Sequence, residues 1–142
     1  MKKYKINIII EEIEKSNFHL FIELKIEKKK VRLLLDTGAS KTVFDKKKVL
    51  RFVKEKNIKK NESKSVGLGV SEVETKIVKL KNLKIGKLKI NKMEVAVLDL
   101  NHVNQTYAQI KLHEIDGVLG SDFLMKYKAV INYEKGTLSL NN

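Results

Sequence analysis

The stretch Leu33-Leu34-Leu35-Asp36-Thr37-Gly38-Ala39-Ser40 is an apolar run that ends on one carboxylate, with a hydroxyl and a glycine directly after it. A strand that is buried on both faces has such a continuous apolar run. Asp36 is therefore expected to leave the core at a fixed position. Gly38 permits a tight backbone turn, and the Thr37 hydroxyl can hydrogen-bond neighbouring backbone and hold that turn. The stretch predicts a rigid carboxylate on a loop, which is what activation of a water molecule requires.

The length and composition of the chain fit one domain. Its 142 residues are enough for a core of its own but not for two domains. The longest apolar run near the N-terminus, Ile8-Ile9-Ile10, is too short for a secretory signal, and no segment approaches the length of a membrane span. Cysteine is absent, so neither disulfides nor thiolate chemistry are expected. These features predict a single domain over 1–142, in the cytoplasm and without membrane contact.

The chain is strongly basic, with a formal net charge of +13 from 30 Lys and Arg against 17 Asp and Glu. Such a charge attracts nucleic acids or acidic partners in general. Here the lysines alternate with apolar residues, as in Lys79-Leu80-Lys81 and Leu88-Lys89-Ile90, which is typical of the solvated faces of strands. No aromatic platform for base stacking lies among them, so no nucleic acid partner is expected.

Short alternating or apolar runs, separated by turn residues, predict a mainly β domain. Strands are expected over 5–10, 18–26, 30–35, 73–80, 83–85, 88–90, 93–98, 129–133 and 137–140. Residues 45–56 have apolar side chains at helical spacing, with Asp45 as the expected N-cap. A second, short helix is expected over 121–127 with Ser121 as its cap, and 101–112 is expected to be an irregular polar loop.

Two further motifs follow Asp36-Thr37-Gly38 along the chain. Val66-Gly67-Leu68-Gly69-Val70 sets two glycines between small apolar residues, as at a hairpin tip, and Ile115-Asp116-Gly117-Val118-Leu119-Gly120-Ser121-Asp122-Phe123-Leu124 joins an apolar strand, a glycine and a helix start. Taken alone, each of the three motifs also has a purely structural interpretation. Asp36-Thr37-Gly38 could be an Asx-turn, the glycine pair a simple turn, and the third motif a strand end and a helix cap. Their order and spacing together are more specific than any one motif.

This arrangement closely resembles the retropepsin-like aspartic proteases over nearly the whole chain, from about Phe18 to Leu140. The resemblance implies a mainly β fold: a closed barrel with one or two short helices and one Asp-Thr-Gly lobe per chain. It implies that Asp36 is catalytic and that its loop is supported by Thr37, Gly38, Ala39 and Ser40. It further implies a substrate-binding flap of Val66, Gly67, Leu68, Gly69 and Val70, and loop packing by Gly117, Val118, Leu119 and Gly120.

Three segments fit the resemblance less closely. Residues 129–133 resemble the closing strand of the family, with Asn132 where an aspartate is expected. Residues 101–112 have no clear counterpart in the family. They are expected to form either a loop near a dimer interface or a loop that borders the cleft. For residues 1–17 three roles are open: an interface strand, a removable leader or an added edge strand.

The number of Asp-Thr-Gly motifs determines the expected assembly. Peptide hydrolysis of this type needs two carboxylates that share one water, and the chain has one such motif; the aspartates at 45, 99, 116 and 122 lack that setting. A second copy of the chain is therefore expected to supply the other carboxylate across a two-fold axis. No metal or organic cofactor is needed, and His19, His102 and His113 lack the spacing of metal ligands.

The leading interpretation is thus a homodimeric aspartic endopeptidase that cleaves an extended peptide or protein. The substrate would pair with the flap in strand fashion and place apolar side chains in pockets near Ala39. A processing protease dedicated to its own precursor or to one partner is a variant of this interpretation. The alternative from another class is a catalytically silent dimer of the same fold that acts as a protein-interaction module. A nucleic-acid-binding β domain is a third and weaker alternative.

Overall fold

The structure is a computed structural model that describes residues 2–61 and 75–142. The described strands are β1 (Lys3–Asn7), β2 (Ile9–Glu14), β3 (Asn17–Ile26), β4 (Lys29–Leu35), β5 (Val43–Asp45), β6 (Lys59–Lys60), β7 (Lys76–Ile85), β8 (Leu88–Leu98), β9 (Gly117–Leu119), β10 (Val130–Asn132) and β11 (Thr137–Asn141). The described helices are α1 (Asn101–Gln109) and α2 (Ser121–Lys126), with short 3-10 turns at Lys48–Arg51 and Glu55–Asn57. The flap expected at 66–70 lies outside the described residues.

Six strands close into a barrel in the order β3-β4-β9-β5-β8-β7. Closure is possible because β3 is long: its first half pairs with β2, and its end pairs with β7 at Lys25 and Ile26. β6 pairs with the first two residues of β7, Lys76 and Ile77. The expected fold class, a mainly β closed barrel with one or two short helices, is confirmed, and the described residues contain two.

The core fills the barrel because successive side chains of a strand point to opposite faces. On β4, Val31, Leu33 and Leu35 face the interior and are buried there. The intervening Arg32 and Leu34 face outward, where Leu34 packs into a smaller apolar cluster beneath α1. Each aliphatic side chain buried in this way contributes about 1.5–3 kcal/mol, so β4 is held firmly just before Asp36.

β7 and β8 form one long hairpin, and the expectation of four short strands in this region is wrong. Buried Val78 and Leu80 alternate with exposed lysines, and the alternation changes phase before Leu83. Asn82, at the change, has a φ of 56°, and the ladder to β8 continues on both of its sides. The alternation of buried and exposed side chains therefore shifts by one residue at Asn82, whose backbone is in the left-handed region, and the strand continues past it.

The helix expected over 45–56 is also wrong. Asp45 ends β5, and its Oδ2 accepts the backbone N–H groups of Lys47 (3.1 Å) and Lys48 (3.0 Å). The chain then makes two separate 3-10 turns. Val49, in the first of them, is buried against the barrel core. The Asp45 Oδ1 also accepts the N–H of Leu100 at 2.8 Å. Its carboxylate thus ties this segment to the end of β8 instead of capping an α-helix.

Residues 101–112 contain α1 and are not the irregular loop that their polarity predicts. The helix is fixed through the buried side chain of Asn104, which accepts the N–H of Ile115 (2.7 Å) and donates to its carbonyl (3.0 Å). Ser121 is likewise not a cap: Gly120 is the N-cap of α2, without a side-chain hydrogen bond. Distant contacts therefore help to position both helices, and neither N-cap residue makes a side-chain hydrogen bond.

The two ends of the chain meet in a three-stranded sheet of order β1-β11-β10. The expected terminal hairpin is present as the antiparallel pair β10–β11. The strand expected over 5–10 is divided into β1 and β2, because Ile8 between them turns inward and donates its N–H to Gly136 (2.8 Å). Among the described helices, neither is long and apolar enough to cross a membrane.

Candidate active site

Asp36 lies on the turn directly after β4, with its side chain exposed. Its backbone N–H donates to the carbonyl of Leu119 on β9 (3.1 Å), and its own carbonyl accepts from Ala39 (3.2 Å). The N–H of Gly38 donates to Oδ1 of Asp36 at 2.9 Å. The Asx-turn considered from the sequence is therefore present. It orients the carboxylate through Oδ1 and leaves Oδ2 out of the turn. Within the described residues, Oδ2 accepts no hydrogen bond.

The loop that carries Asp36 is held from below by the start of α2. The backbone N–H of Ser121 donates to the carbonyl of Ala39 at 2.7 Å. The hydroxyl of the fully buried Thr42 donates to Oδ1 of Asp122 (2.8 Å) and accepts the N–H of Gly120 (3.0 Å). The same Oδ1 accepts the N–H of Thr42 at 2.9 Å. These bonds hold the C-terminal part of the loop, from Ala39 to Thr42, against the start of α2.

Gly117 and Gly120 allow a very close approach of backbone to backbone. A Cβ on Gly117 would lie 2.2 Å from the carbonyl oxygen of Val43. A Cβ on Gly120 would lie 2.8 Å from the Ala39 oxygen and 2.8 Å from the carbonyl carbon of Lys41. The structure thus places these two glycines directly against the loop and against β5, with no room for a side chain.

The remaining predicted loop residues lie around Asp36 with different exposures. Thr37, Gly38 and Ser40 are exposed, and Ala39 is half-buried. The Thr37 hydroxyl forms no hydrogen bond with the described residues, so it does not hold the turn of its own chain. The support of the loop that the resemblance implies for Thr37 stays a prediction, as do the catalytic, support, flap and packing roles of the other predicted residues.

The other described aspartates are engaged in structural bonds. Asp116 is buried; its Oδ2 accepts the N–H of Arg32 (2.8 Å) and its Oδ1 pairs with the Arg51 guanidinium (2.6 Å). Asp99 accepts the N–H of Asn101 at 2.9 Å. With Asp45 and Asp122 fixed as described above, no second carboxylate of the described chain completes a pair with Asp36.

α1 borders the outer side of the Asp36 loop; the sequence analysis left a position beside the cleft open for residues 101–112 but did not predict a helix there. Leu34 and Val118, neighbours across β4 and β9, are half-buried and pack against the cluster containing Tyr107 of α1. The Tyr107 hydroxyl lies 2.9 Å from Nδ1 of His19. Burial raises the pKa of Tyr107 above its usual value of 10.0, the Arg32 cation lowers it, and Asp36 raises it. Tyr107 therefore lies within the electrostatic field of Asp36.

The described part of the site shows no arrangement suited to a bound metal ion. Among the described residues, no group of three His, Asp or Glu side chains converges. The chemistry available at this site is that of one exposed carboxylate, oriented by backbone N–H groups and set between half-buried apolar side chains.

The hydroxyl of Thr42 provides a test of how the loop is held. In Thr42→Val, Oδ1 of Asp122 loses a donor and the buried N–H of Gly120 loses its acceptor. We expect the free energy of unfolding to fall by about 1–3 kcal/mol, measured by urea denaturation. The matched control is Thr106→Val at an exposed position of α1, where the lost bond is to the His102 carbonyl; the expected change is within about 0.5 kcal/mol. Equal losses in both variants would contradict the assigned role.

A single closed β barrel, one Asp-Thr-Gly turn after a buried strand, and a glycine-containing strand and helix packed beneath that turn define a one-lobed aspartic protease fold of the retropepsin type. A family model described as "Aspartyl protease" matches residues 22–123. The chain belongs to this aspartyl protease family, and the recognition made from its three motifs is confirmed.

Solved structures share the fold at low sequence identity. A retropepsin-like aspartic protease from Rickettsia conorii is 18% identical with a TM-score of 0.58, covering 98% of this chain and 90% of that one. The retroviral protease-like domain of Ddi1 from Leishmania major is 16% identical with a TM-score of 0.54, covering 87% and 89%. The EIAV protease, complexed with the inhibitor HBY-793, is 22% identical with a TM-score of 0.50, covering 79% and 90%. Among curated protein sequences, none matches significantly.

Proposed function

We propose that this protein is an aspartic endopeptidase whose water-activating centre is a pair of Asp36 side chains, one from each subunit of a homodimer. The observation that carries the proposal is the state of Asp36: an exposed carboxylate on a fixed turn, with one oxygen oriented by the Gly38 N–H and the other free of described partners. Membership of the aspartyl protease family supports the reaction class.

The pairing of two carboxyls explains the chemistry of the proposed centre. Two carboxyl groups about 3 Å apart cannot both ionise, so the pair retains one proton. The ionised carboxylate takes a proton from a shared water as it attacks the scissile carbonyl carbon, and the protonated carboxyl donates to the carbonyl oxygen. A tetrahedral diol results; transfer of a proton to the nitrogen then breaks the C–N bond and releases the amine. The apparent pKa values of such a centre belong to the pair.

An exposed apolar surface on α2 and β10 supports assembly into a dimer. Met125, Val130 and Tyr133 are 79%, 55% and 68% exposed and lie on α2, on β10 and directly after it. β10 pairs with β11 on one side, and no described strand pairs with its other edge. An exposed apolar edge strand is a site for pairing with another chain. Because α2 also contacts the Asp36 loop through Ser121, a two-fold axis near β10 would bring two such loops together.

The proposed substrate is a peptide in an extended conformation. Half-buried Leu34 and Val118 offer apolar contact next to Asp36, within reach of side chains that flank a scissile bond. The cytoplasmic location expected from the sequence remains part of the proposal. No observation on the described residues favours the silent interaction module, which is an outcome of the test below.

The proposal is tested by incubating the purified protein with a library of denatured peptides across acid and neutral pH and identifying the products by mass spectrometry. We expect internal cleavage between apolar residues. Cleavage of one or a few sequences only would indicate a dedicated processing protease within the same reaction class. If no peptide is cut at any pH while the protein is folded and dimeric, the peptidase is refuted in favour of the interaction module.

A further inference from the structure

A second surface feature lies away from Asp36: a groove of about 1010 Å³ between the segment 50–59 and the outer face of β7. This volume is at the upper end of the range of about 300–1,000 Å³ found for ligand sites. The groove therefore has room for several residues of a bound chain. Nothing in the proposed reaction uses it.

The charge of the groove is strongly one-sided. Two acidic residues line it, Glu27 and Glu94, and both have other partners: Asn82 donates to Glu27 (3.3 Å), and Lys41 pairs with Glu94 (3.7 Å). The cationic residues that line it are Arg51, Lys54, Lys56, Lys59, Lys79 and Lys81. Arg51 is paired with Asp116, whereas the five lysines form no ion pair with the described residues. A concave surface lined by one sign of charge concentrates ligands of the opposite sign.

The groove also has apolar parts. Leu50 is 45% exposed, and Phe52, Val53 and Ile77 are half-buried at its surface. Such side chains favour a ligand that alternates acidic with apolar groups. They distinguish this groove from the scattered lysines elsewhere on the strands, which stand on solvated faces.

The aromatic content of the groove argues for a peptide and against a nucleic acid. Phe52 is the aromatic residue among those that line it. Its ring is already covered by cations: the Arg51 Cζ lies 4.7 Å and the Lys29 Nζ 6.0 Å from the ring centroid. Binding of single-stranded nucleic acid depends on aromatic rings that are free to stack with bases, so the groove lacks the principal contact of such a site.

We infer that this groove binds an acidic, partly apolar segment of the protein substrate, at a distance from the bond that is cut. Glu94, which lines the groove, forms an ion pair with Lys41, and Lys41 directly follows the Asp36–Ser40 loop. A substrate chain can therefore run from the groove towards the active site. The role in substrate recognition rests on the proposed peptidase activity. Binding of an acidic peptide by the groove does not require that the protein cleaves it. The groove raises the local concentration of substrate and lowers KM, with little effect on kcat.

Two matched charge reversals test the inference. The groove variant is Lys56→Glu with Lys81→Glu, and the control variant is Lys87→Glu with Lys89→Glu at the other end of the β7–β8 hairpin. Lys81 faces Lys92 and Lys89 faces Lys84 across the strands, so one substitution in each variant replaces a repulsive cross-strand pair by an attractive one. Both variants carry the same net charge, and neither is expected to impair folding.

The first measurement is binding of a labelled peptide of Glu, Leu and Ser to the 142-residue chain carrying Asp36→Asn, by fluorescence anisotropy. We expect the affinity to fall about tenfold or more in the groove variant, to be unchanged in the control variant, and to decrease with added salt. Equal losses in both variants would show general attraction to a basic surface and overturn the inference. So would equal affinity for the peptide with Gln in place of Glu, or for a single-stranded oligonucleotide of similar length.

The second measurement is cleavage, with Asp36 intact, of one substrate made with and without the acidic extension. We expect the extension to raise kcat/KM about tenfold through KM, and the groove variant to lose this gain while cutting the short substrate as wild type does. Equal kcat/KM for both substrates would overturn the role in recognition. Failure to cut either substrate would refute the peptidase, and the binding result would then still decide whether the groove takes acidic peptides.

Discussion

Replacing Asp36 by Asn is expected to reduce peptide cleavage by about 10³-fold or more, because an amide cannot accept the proton of the attacking water. The amide oxygen still accepts the Gly38 N–H, so the turn and the fold are expected to be retained. The measurement is kcat/KM on a cleaved library peptide, together with circular dichroism and sedimentation of the same sample. We expect the variant to be inactive but folded, with an unchanged oligomeric state.

The matched control for this variant is Asp99→Asn. Asp99 is exposed and accepts a backbone N–H two residues ahead, from Asn101, just as Asp36 accepts that of Gly38. The change of charge and the local hydrogen bond are therefore the same in both substitutions. Cleavage by Asp99→Asn is expected to be unchanged. Substantial activity in Asp36→Asn, or an equal loss in both variants, would remove Asp36 from the reaction.

A methyl group at Gly120 is expected to destabilise the protein by about 3 kcal/mol or more and to abolish cleavage. The added Cβ would meet the Ala39 oxygen at 2.8 Å and the Lys41 carbonyl at 2.8–2.9 Å. All of these are backbone atoms, so no side chain can move aside, and overpacking of this kind costs at least about 1–3 kcal/mol. The loop must shift, and Asp36 with it. Urea denaturation at one fixed protein concentration measures the loss of stability.

Gly136→Ala is the control for the effect of Gly120→Ala. Gly136 has a φ of +64°, so alanine there costs about 1–2 kcal/mol through the backbone alone. Its added Cβ would meet only the end of the Ile10 side chain, at 4.0 Å. We expect this variant to be moderately less stable but fully active when folded. If Gly120→Ala were as stable and active as Gly136→Ala, the close packing beneath the loop would not matter to the site.

The parts of this fold that the sequence predicts are those encoded by neighbouring residues. The run Leu33-Leu34-Leu35 identifies a strand with two buried faces, and the residues after it identify the turn that carries Asp36. The terminal hairpin and the lysine-bearing strands follow from alternation with period two. These patterns are local, and the packing of the barrel agrees with them.

The parts that the sequence does not predict depend on distant contacts. α1 is polar along its length, and its place is set by the bonds of Asn104 to Ile115. The bond between Thr42 and Asp122 joins residues far apart in the chain, so no local pattern indicates it. At 45–56 the apolar spacing is real, but the segment forms two 3-10 turns instead of one α-helix, and Asp45 bonds to the distant Leu100 as well as to the turn.

The most direct test of the central claim is the specific activity of the protein measured during dilution, with sedimentation velocity on the same samples. If each centre contains one Asp36 from each of two chains, activity per chain must fall in proportion to the fraction of dimer and vanish as monomers accumulate. Cleavage at an undiminished rate per chain by a solution that sediments as monomers would contradict the account.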